Sequence, residues 1–316
     1  MLTSILGCNT NSESGKLKPR PLRDYQFERT SLRVERGRYL VTIAECFACH
    51  SPIDTTLLLP LPGKEGSGDI IDTIDNFGPE VAPNLTPDVE TGAGSWTDDM
   101  FVRAIREGVG HDGRQLNSDM RSEYYGILTD EDIASVVVYL RSLPAVRHEL
   151  PKIVWPDGQP GHHDKPMSTP AQPEDLLDTL GLGKYLVRVA TCEHCHSPSD
   201  SLGNKRPELR FGGGTLCLKQ HGKIIVSKNI TQDPTGIPYY DEALFIQTIR
   251  TGRVGGVREL NPWMEWPYLR IMTDYDLKAI FKYLRAQPRV YHNVDNGEPP
   301  SPCKLCGTTH GLGDLN

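Results

Sequence analysis

The sequence predicts a mainly α protein in which one domain is repeated in tandem, with a proline-rich linker between the copies. Three observations carry that reading. Six landmarks recur in the same order about 145 positions apart. Each copy holds apolar residues at helical spacing, separated by long loops with little strand-like alternation. Between the copies, from about Glu149 to Glu174, prolines stand at positions 151, 156, 160, 166, 170 and 173.

The landmarks fix the repeat. Gly37-Arg-Tyr-Leu-Val41 returns as Gly183-Lys-Tyr-Leu-Val187, and Cys46 returns as Cys192. Asn84-Leu-Thr86 returns as Asn229-Ile-Thr231. Phe101 with Ile105-Arg106 returns as Phe245 with Ile249-Arg250. Thr129-Asp-Glu-Asp-Ile133 and Tyr139-Leu-Arg141 return as Thr273-Asp-Tyr-Asp-Leu277 and Tyr283-Leu-Arg285. Conserved order with so small a drift in spacing means duplication. The expected organisation is a polar tether over 1–30, a first domain over 31–147 and a linker over 148–177. A second domain over 178–292 and a tail over 293–316 complete it.

At 316 residues the chain can bury two cores of ordinary size. Charged residues at 24% and hydrophobic ones at 37% give a soluble, globular balance. No apolar run approaches the roughly 20 residues of a membrane-spanning helix. The net charge of −7 argues against nucleic acid as a partner and suits docking to a basic patch on another protein.

Each copy reads as three helices. The first runs from about Leu32 to Cys46, with Leu40, Ile43 and Ala44 on one face. The second starts at Thr97, whose hydroxyl can cap the free N–H groups ahead of Asp98 and Asp99. The third starts at Thr129, with Asp132 placed as in a capping box. It continues through Ile133, Val136, Val137 and Leu140 and stops before Pro144. The proline density of the linker predicts extended, surface-lying chain. Such long loops suit chain that wraps a large flat cofactor.

The chemistry lies in the cysteines. Six of the eight form three Cys-x-x-Cys pairs, two of which run straight into histidine: Cys46-Phe-Ala-Cys49-His50 and Cys192-Glu-His-Cys195-His196. Cysteines three apart at a helix start can add to the two vinyl groups of one haem, and the adjacent histidine reaches its iron. A redox dithiol or half of a zinc site could also use Cys-x-x-Cys, but two occurrences at matching places in a repeat favour two covalent haem c groups. His50 and His196 are then the proximal iron ligands.

Of the six methionines only Met120 and Met264 match across the repeat, in Leu116-Asn-Ser-Asp-Met120 and Leu260-Asn-Pro-Trp-Met264. A thioether is a soft, uncharged ligand that raises a haem's reduction potential, so these two are read as the distal ligands. Met100 and Met272 face Leu244 and Leu128 in the repeat and are read as packing residues. His111, His148, His162, His163, His194, His221, His292 and His310 are read as having no counterpart at the equivalent position, and so as surface or structural.

Further residues carry a family resemblance. Ala82-Pro-Asn-Leu-Thr-Pro-Asp88, Gly94-Ser-Trp-Thr-Asp98, Phe101, Gly108, and Leu128-Thr-Asp-Glu-Asp132 leading to Tyr139-Leu-Arg-Ser-Leu-Pro144 resemble class I cytochrome c domains. More narrowly, they are similar to the cytochrome subunits of membrane-bound alcohol and aldehyde dehydrogenases, over about residues 33–145 and 179–289. The resemblance implies covalent haem c, His/Met ligation, and Gly37 or Gly183 packed closely against a terminal helix near Tyr139 or Tyr283. Those subunits commonly carry three haem domains, and this chain has motifs for two. Asp119 stands where the second copy has Pro262-Trp263, so the two haems are expected to differ in potential.

Haem c is attached outside the cytoplasm, so a periplasmic or extracytoplasmic location follows. Ile5-Leu-Gly-Cys8 resembles the end of a bacterial lipoprotein signal, with a lipid anchor expected on Cys8. Cys303-Lys-Leu-Cys306-Gly lacks the histidine of a third haem site. A disulfide within that pair or to Cys217, or a metal set completed by His310, remains open. The expected function is electron relay between a membrane-associated donor and an acceptor, as a subunit of a larger redox complex or docked to one. The alternative is a dihaem enzyme of peroxidase or thiosulfate dehydrogenase type, the latter resting on Cys217 as an iron ligand. Matched methionines argue for the carrier.

Overall fold

A computed structural model describes residues 19–54, 56, 58–71, 80–151, 168–200, 203–220 and 223–294, with two short strands at Ser301–Pro302 and Thr309–His310. Helix dominates. Five two-stranded antiparallel ladders, none longer than five residues a strand, are the sheet content of the described residues. The expected mainly α class is found.

Helix α1 covers Ser31–Ile43 and is capped by Thr30, whose hydroxyl accepts from the Arg33 N–H. It stops three residues short of the expected end. Glu45 adopts a left-handed conformation at φ 58° and breaks the helix, so the cysteine motif begins a new turn, α2, at Cys46–Cys49. Helix α3, Asp98–Glu107, starts after Thr97 as the sequence predicts and ends on Gly108 at φ 66°. A short α4, Ser122–Tyr125, precedes α5, Asp130–Ser142.

The second half repeats this order. Helix α6 is Thr179–Val189, α7 Cys192–His196, α8 Glu242–Thr251, α9 Trp266–Leu269 and α10 Asp274–Arg285. Among the described residues each half therefore has five α-helical segments where the sequence predicts three. The extra turns carry the cysteine motifs and follow the methionine loops.

Packing rests on the first and last helix of each half, α1 on α5 and α6 on α10. The approach is close because glycine stands at both crossings. A Cβ on Gly37 would lie 2.0 Å from the Ser135 carbonyl oxygen, and one on Gly183 would lie 2.1 Å from that of Ala279. Tyr139 and Tyr283 flank the same contacts, as the resemblance implies. Leu40, Ile133, Val136, Val137 and Leu140 are buried there, joined across the halves by Tyr185, Leu186, Leu277 and Ile280 in one apolar cluster.

Two segments read as irregular in sequence are bound. Arg20 forks onto both carboxylate oxygens of Asp99 at 2.7 Å, and the Phe27 N–H donates to Asp98 at 2.7 Å. The chain ahead of α1 thus lies along α3, and the acids expected only to favour that helix's N-terminus also hold this strap. The linker is not extended throughout: Pro173–Leu176 forms a turn of 3₁₀ helix, with the Asp175 carboxylate accepting from the Gln172 N–H at 2.8 Å. Cys8, His162, His163, Met167, Cys303 and Cys306 lie outside the described residues. Among the described residues no helix is long and apolar enough to cross a membrane.

Candidate haem sites

Both cysteine motifs are built alike. Glu45 and, in the second half, Thr191 (φ 46°) turn the chain so that each motif opens a fresh helical turn. Residues three apart share one face of that turn, so Cys46 and Cys49 point the same way, as do Cys192 and Cys195. All four are half-buried thiols outside any disulfide. Burial first, then the neighbouring Cys49 and Glu45, pushes the Cys46 thiol up to about 12. Burial and then Glu45 do the same to Cys192.

The histidines are buried, His50 at 7% exposure and His196 at 6%. His50 Nδ1 lies 2.8 Å from the Pro83 carbonyl oxygen, and His196 Nδ1 lies 2.6 Å from that of Lys228. A carbonyl can only accept, so Nδ1 carries the proton and the lone pair sits on Nε2. Burial holds both imidazoles below their ordinary pKa, against the opposing pull of the carbonyl bond. A neutral ring with a pinned tautomer and a lone pair on Nε2 is what an iron ligand requires.

Sequence reasoning missed these two carbonyls, though a signal for them was present. Pro83 and Lys228 immediately precede Asn84 and Asn229, the repeated Asn-x-Thr landmarks. Asn84 donates to Val146 O at 2.8 Å and accepts from the Thr86 N–H at 2.9 Å and hydroxyl at 2.7 Å. Asn229 makes the same bonds to Val290 and Thr231. The buried amide locks the loop so that the preceding carbonyl faces the histidine.

The methionines also share one local structure. Leu116 N–H donates to Gly108 O and Leu260 N–H to Gly252 O, both at 2.7 Å, closing equivalent loops after α3 and α8. Turns of 3₁₀ helix at Ser118–Met120 and Pro262–Met264 then present Met120 and Met264, half-buried against the core. Met272 is buried at 1% exposure, as expected of a packing residue. Tyr125, just after the first methionine loop, donates to Ala44 O at 2.8 Å and ties that loop to the first cysteine motif.

One reading of the histidines needs correction. His148 and His292 are counterparts. His148 N–H donates to Thr91 and His292 N–H to Thr235, both at 3.0 Å. Their Nδ1 atoms sit 3.1 Å from Ser67 O and 3.0 Å from Gly212 O. They fasten the chain after each terminal helix to the loop behind the cysteine motif. The role is structural, but the pair is matched. His111 stacks on Trp96, with ring centroids 4.6 Å apart.

The donor set therefore fits haem c: paired thiols, a neutral buried imidazole and a thioether, in each half. Among the described residues no three His, Cys, Asp or Glu side chains group as a metal-ion site, so nothing described supports zinc at the cysteine pairs. Residues 34–144 match the family model for cytochrome c. Over that stretch the chain carries a cytochrome c domain. Such a domain implies covalently bound haem c, and the chain is similar along most of its length to named relatives. It is 27% identical to the fructose dehydrogenase cytochrome subunit of Gluconobacter japonicus, over 91% of this chain and 58% of that one. It is 25% identical to the cytochrome c subunit of the quinone-type alcohol dehydrogenase of Gluconobacter oxydans, over 84% of this chain and 57% of that one. A diheme cytochrome c-type protein of Cereibacter sphaeroides is 27% identical over 57% of this chain and 62% of its own. The chain thus spans a little over half the length of the two dehydrogenase subunits.

Proposed function

We propose that the chain is a dihaem electron carrier with two tandem cytochrome c domains, and that it serves a membrane-associated dehydrogenase. One observation carries this most directly: His50 and His196 present the same tautomer, each pinned by a backbone carbonyl at the equivalent loop position, beside the same cysteine spacing. When bound, haem c supplies one-electron exchange at its iron. The protein's part is to fix that group and set its potential. Cys46 and Cys49 would attach one haem and Cys192 and Cys195 the other. His50 with Met120, and His196 with Met264, would complete the two iron coordination spheres.

The relatives' printed names associate them with fructose and alcohol dehydrogenases, and the likeness reaches across both halves of this chain. That supports a redox protein as partner, with the chain passing electrons on rather than catalysing a substrate reaction. Covalent haem attachment would put it outside the cytoplasm. A lipid on Cys8 would hold it at the membrane, and mass spectrometry of the N-terminal peptide tests that point.

Haem content tests the reading as a whole. Denatured protein should retain two haems per chain, and the double variant Cys46→Ala, Cys49→Ala should retain one. A single haem in the native chain would sink the dihaem proposal. A third would show that the Cys303–Cys306 pair also binds haem.

A further inference from the structure

Where the two halves meet, four residues come together that each stand one position from a residue of the haem sites. Glu45 precedes Cys46, and Thr191 precedes Cys192. Arg121 follows Met120, and Glu265 follows Met264. Arg121 donates to the Glu45 carboxylate at 3.2 Å and to the Thr191 hydroxyl at 2.9 Å. Glu45 shares a side-chain hydrogen bond with Glu265, whose charge also acts on Arg121. Glu45 and Thr191 are buried at 5% and 2% exposure.

All four are left-handed: φ is 58° at Glu45, 54° at Arg121, 46° at Thr191 and 60° at Glu265. Among the described residues only Leu58 and Phe211 share that conformation without being glycine. A left-handed residue with a side chain is strained, so four at one seam need a compensating contact. The shared hydrogen bonds supply it. Neighbouring contacts close the seam: Arg188 lies over the Tyr124 ring at 4.5 Å, and its guanidinium donates to Glu123 O at 2.8 Å. Tyr124 meets His194, inside the second cysteine motif, edge-on at 5.8 Å.

We propose that the two haem-attachment motifs face one another across this seam, and that Arg121 is the positioning residue holding them at the distance at which electrons cross between the haems. The proposal rests on the dihaem reading and adds the crossing point. Arg121 is suited to the task because one guanidinium reaches three haem-bearing elements: its own methionine loop, the first cysteine motif through Glu45 and the second through Thr191. Its planar fork makes these contacts with little further loss of freedom. Against two carboxyls, one cation also keeps the buried cluster from repelling itself apart.

The test uses the full-length holoprotein and variants Arg121→Met and Arg121→Lys. Haem count comes first, since two haems per chain in every variant keeps the dihaem reading intact whatever follows. Two haems held close and rigid should give a bisignate Soret circular-dichroism couplet. Electrons placed on the protein by a flash should equilibrate between them within one molecule. Arg121→Met should diminish the couplet and slow equilibration roughly tenfold, as small displacements do for oriented reactions, and Arg121→Lys should restore part of both. Thr191→Val removes only the acceptor across the seam and should give a weaker effect in the same direction, which covers the case in which Arg121→Met does not fold. A wild-type protein without the couplet would overturn the proposal. So would equilibration at the wild-type rate in folded Arg121→Met, or in Thr191→Val should Arg121→Met not fold.

Discussion

Tyr185 on α6 donates its hydroxyl hydrogen bond to the Asp132 carboxylate on α5, in the other half of the chain. The relation is returned, because Tyr39 on α1 donates to Asp276 on α10. Both tyrosines come from the repeated Gly-x-Tyr-Leu-Val landmark, and both acids occupy the third position of a terminal helix. Thr129 and Thr273 accept from the N–H groups of those acids at 3.1 Å, as caps should. The carboxylates, however, do not reach back to complete a capping box. They are spent on joining the halves.

The two joints differ in strength. Asp132 is buried and also takes both nitrogens of the Arg36 fork at 2.8 Å, whereas Leu182 stands at the position equivalent to Arg36. Tyr185→Phe strips a buried hydrogen bond to a charged acceptor and should cost roughly 2 kcal/mol, while Tyr39→Phe, at a half-exposed acid, should cost about 1. Urea unfolding of the two variants gives the comparison, and equal losses would contradict this ranking.

The glycines at the helix crossings predict a larger effect. Since the obstructing atoms at Gly37 and Gly183 are backbone carbonyls, neither can swing aside. Gly37→Ala should force α1 off α5 and cost about 3 kcal/mol or more. A shift of the urea midpoint within error of wild type would show that the crossing can relax.

Much of this was legible in the sequence because repetition exposes constraint. Thr97 and Thr129 cap their helices through bonds three residues away, so local pattern reveals them, whereas the close approach at Gly37 is a contact with Ser135 that the family resemblance implied. The left-handed break at Glu45 was not legible, since glutamate carries no turn signal and its conformation is imposed by partners at Arg121 and Glu265. The strap at Arg20 was missed for the same reason: its ionic contacts, Asp99 and Glu107, lie 79 and 87 residues away. The match of His148 with His292 was there to be seen, at the same spacing as Met120 and Met264.

Glu45 predicts how stability varies with pH. Burial, then the charge and hydrogen bond of Glu265, hold its carboxyl well above the ordinary range, with Arg121 opposing. Between the unfolded pKa, near 4.3, and the raised folded value, the folded state binds more protons than the unfolded one. Stability from this group is therefore full at low pH and lost as pH rises through that window. Glu45→Gln keeps a hydrogen-bonding side chain and removes the titration, so its stability should gain on wild type as pH rises from about 5 to 8. Parallel curves for the two proteins would rule Glu45 out as the source.

The methionines decide between carrier and enzyme. Met120 and Met264 sit in the same loop form, each one residue before a left-handed position at the seam. If both ligate iron, the oxidised protein should show a sulfur-to-iron charge-transfer band equivalent to two haems, and the reduced protein should bind carbon monoxide poorly. Met264→Ala should open one coordination position and create carbon monoxide binding at about one haem per chain. Met264→His should keep six ligands and lower that haem's potential, because imidazole favours ferric iron more than a thioether does. The corresponding changes at Met120 should act on the other haem. The two potentials, resolved by redox titration, then report which site each methionine serves. Carbon monoxide binding at one haem of the untouched protein, together with turnover of peroxide, would replace the relay by a dihaem enzyme. Poor binding in the native protein and strong binding in Met264→Ala would leave electron transfer as the chain's work.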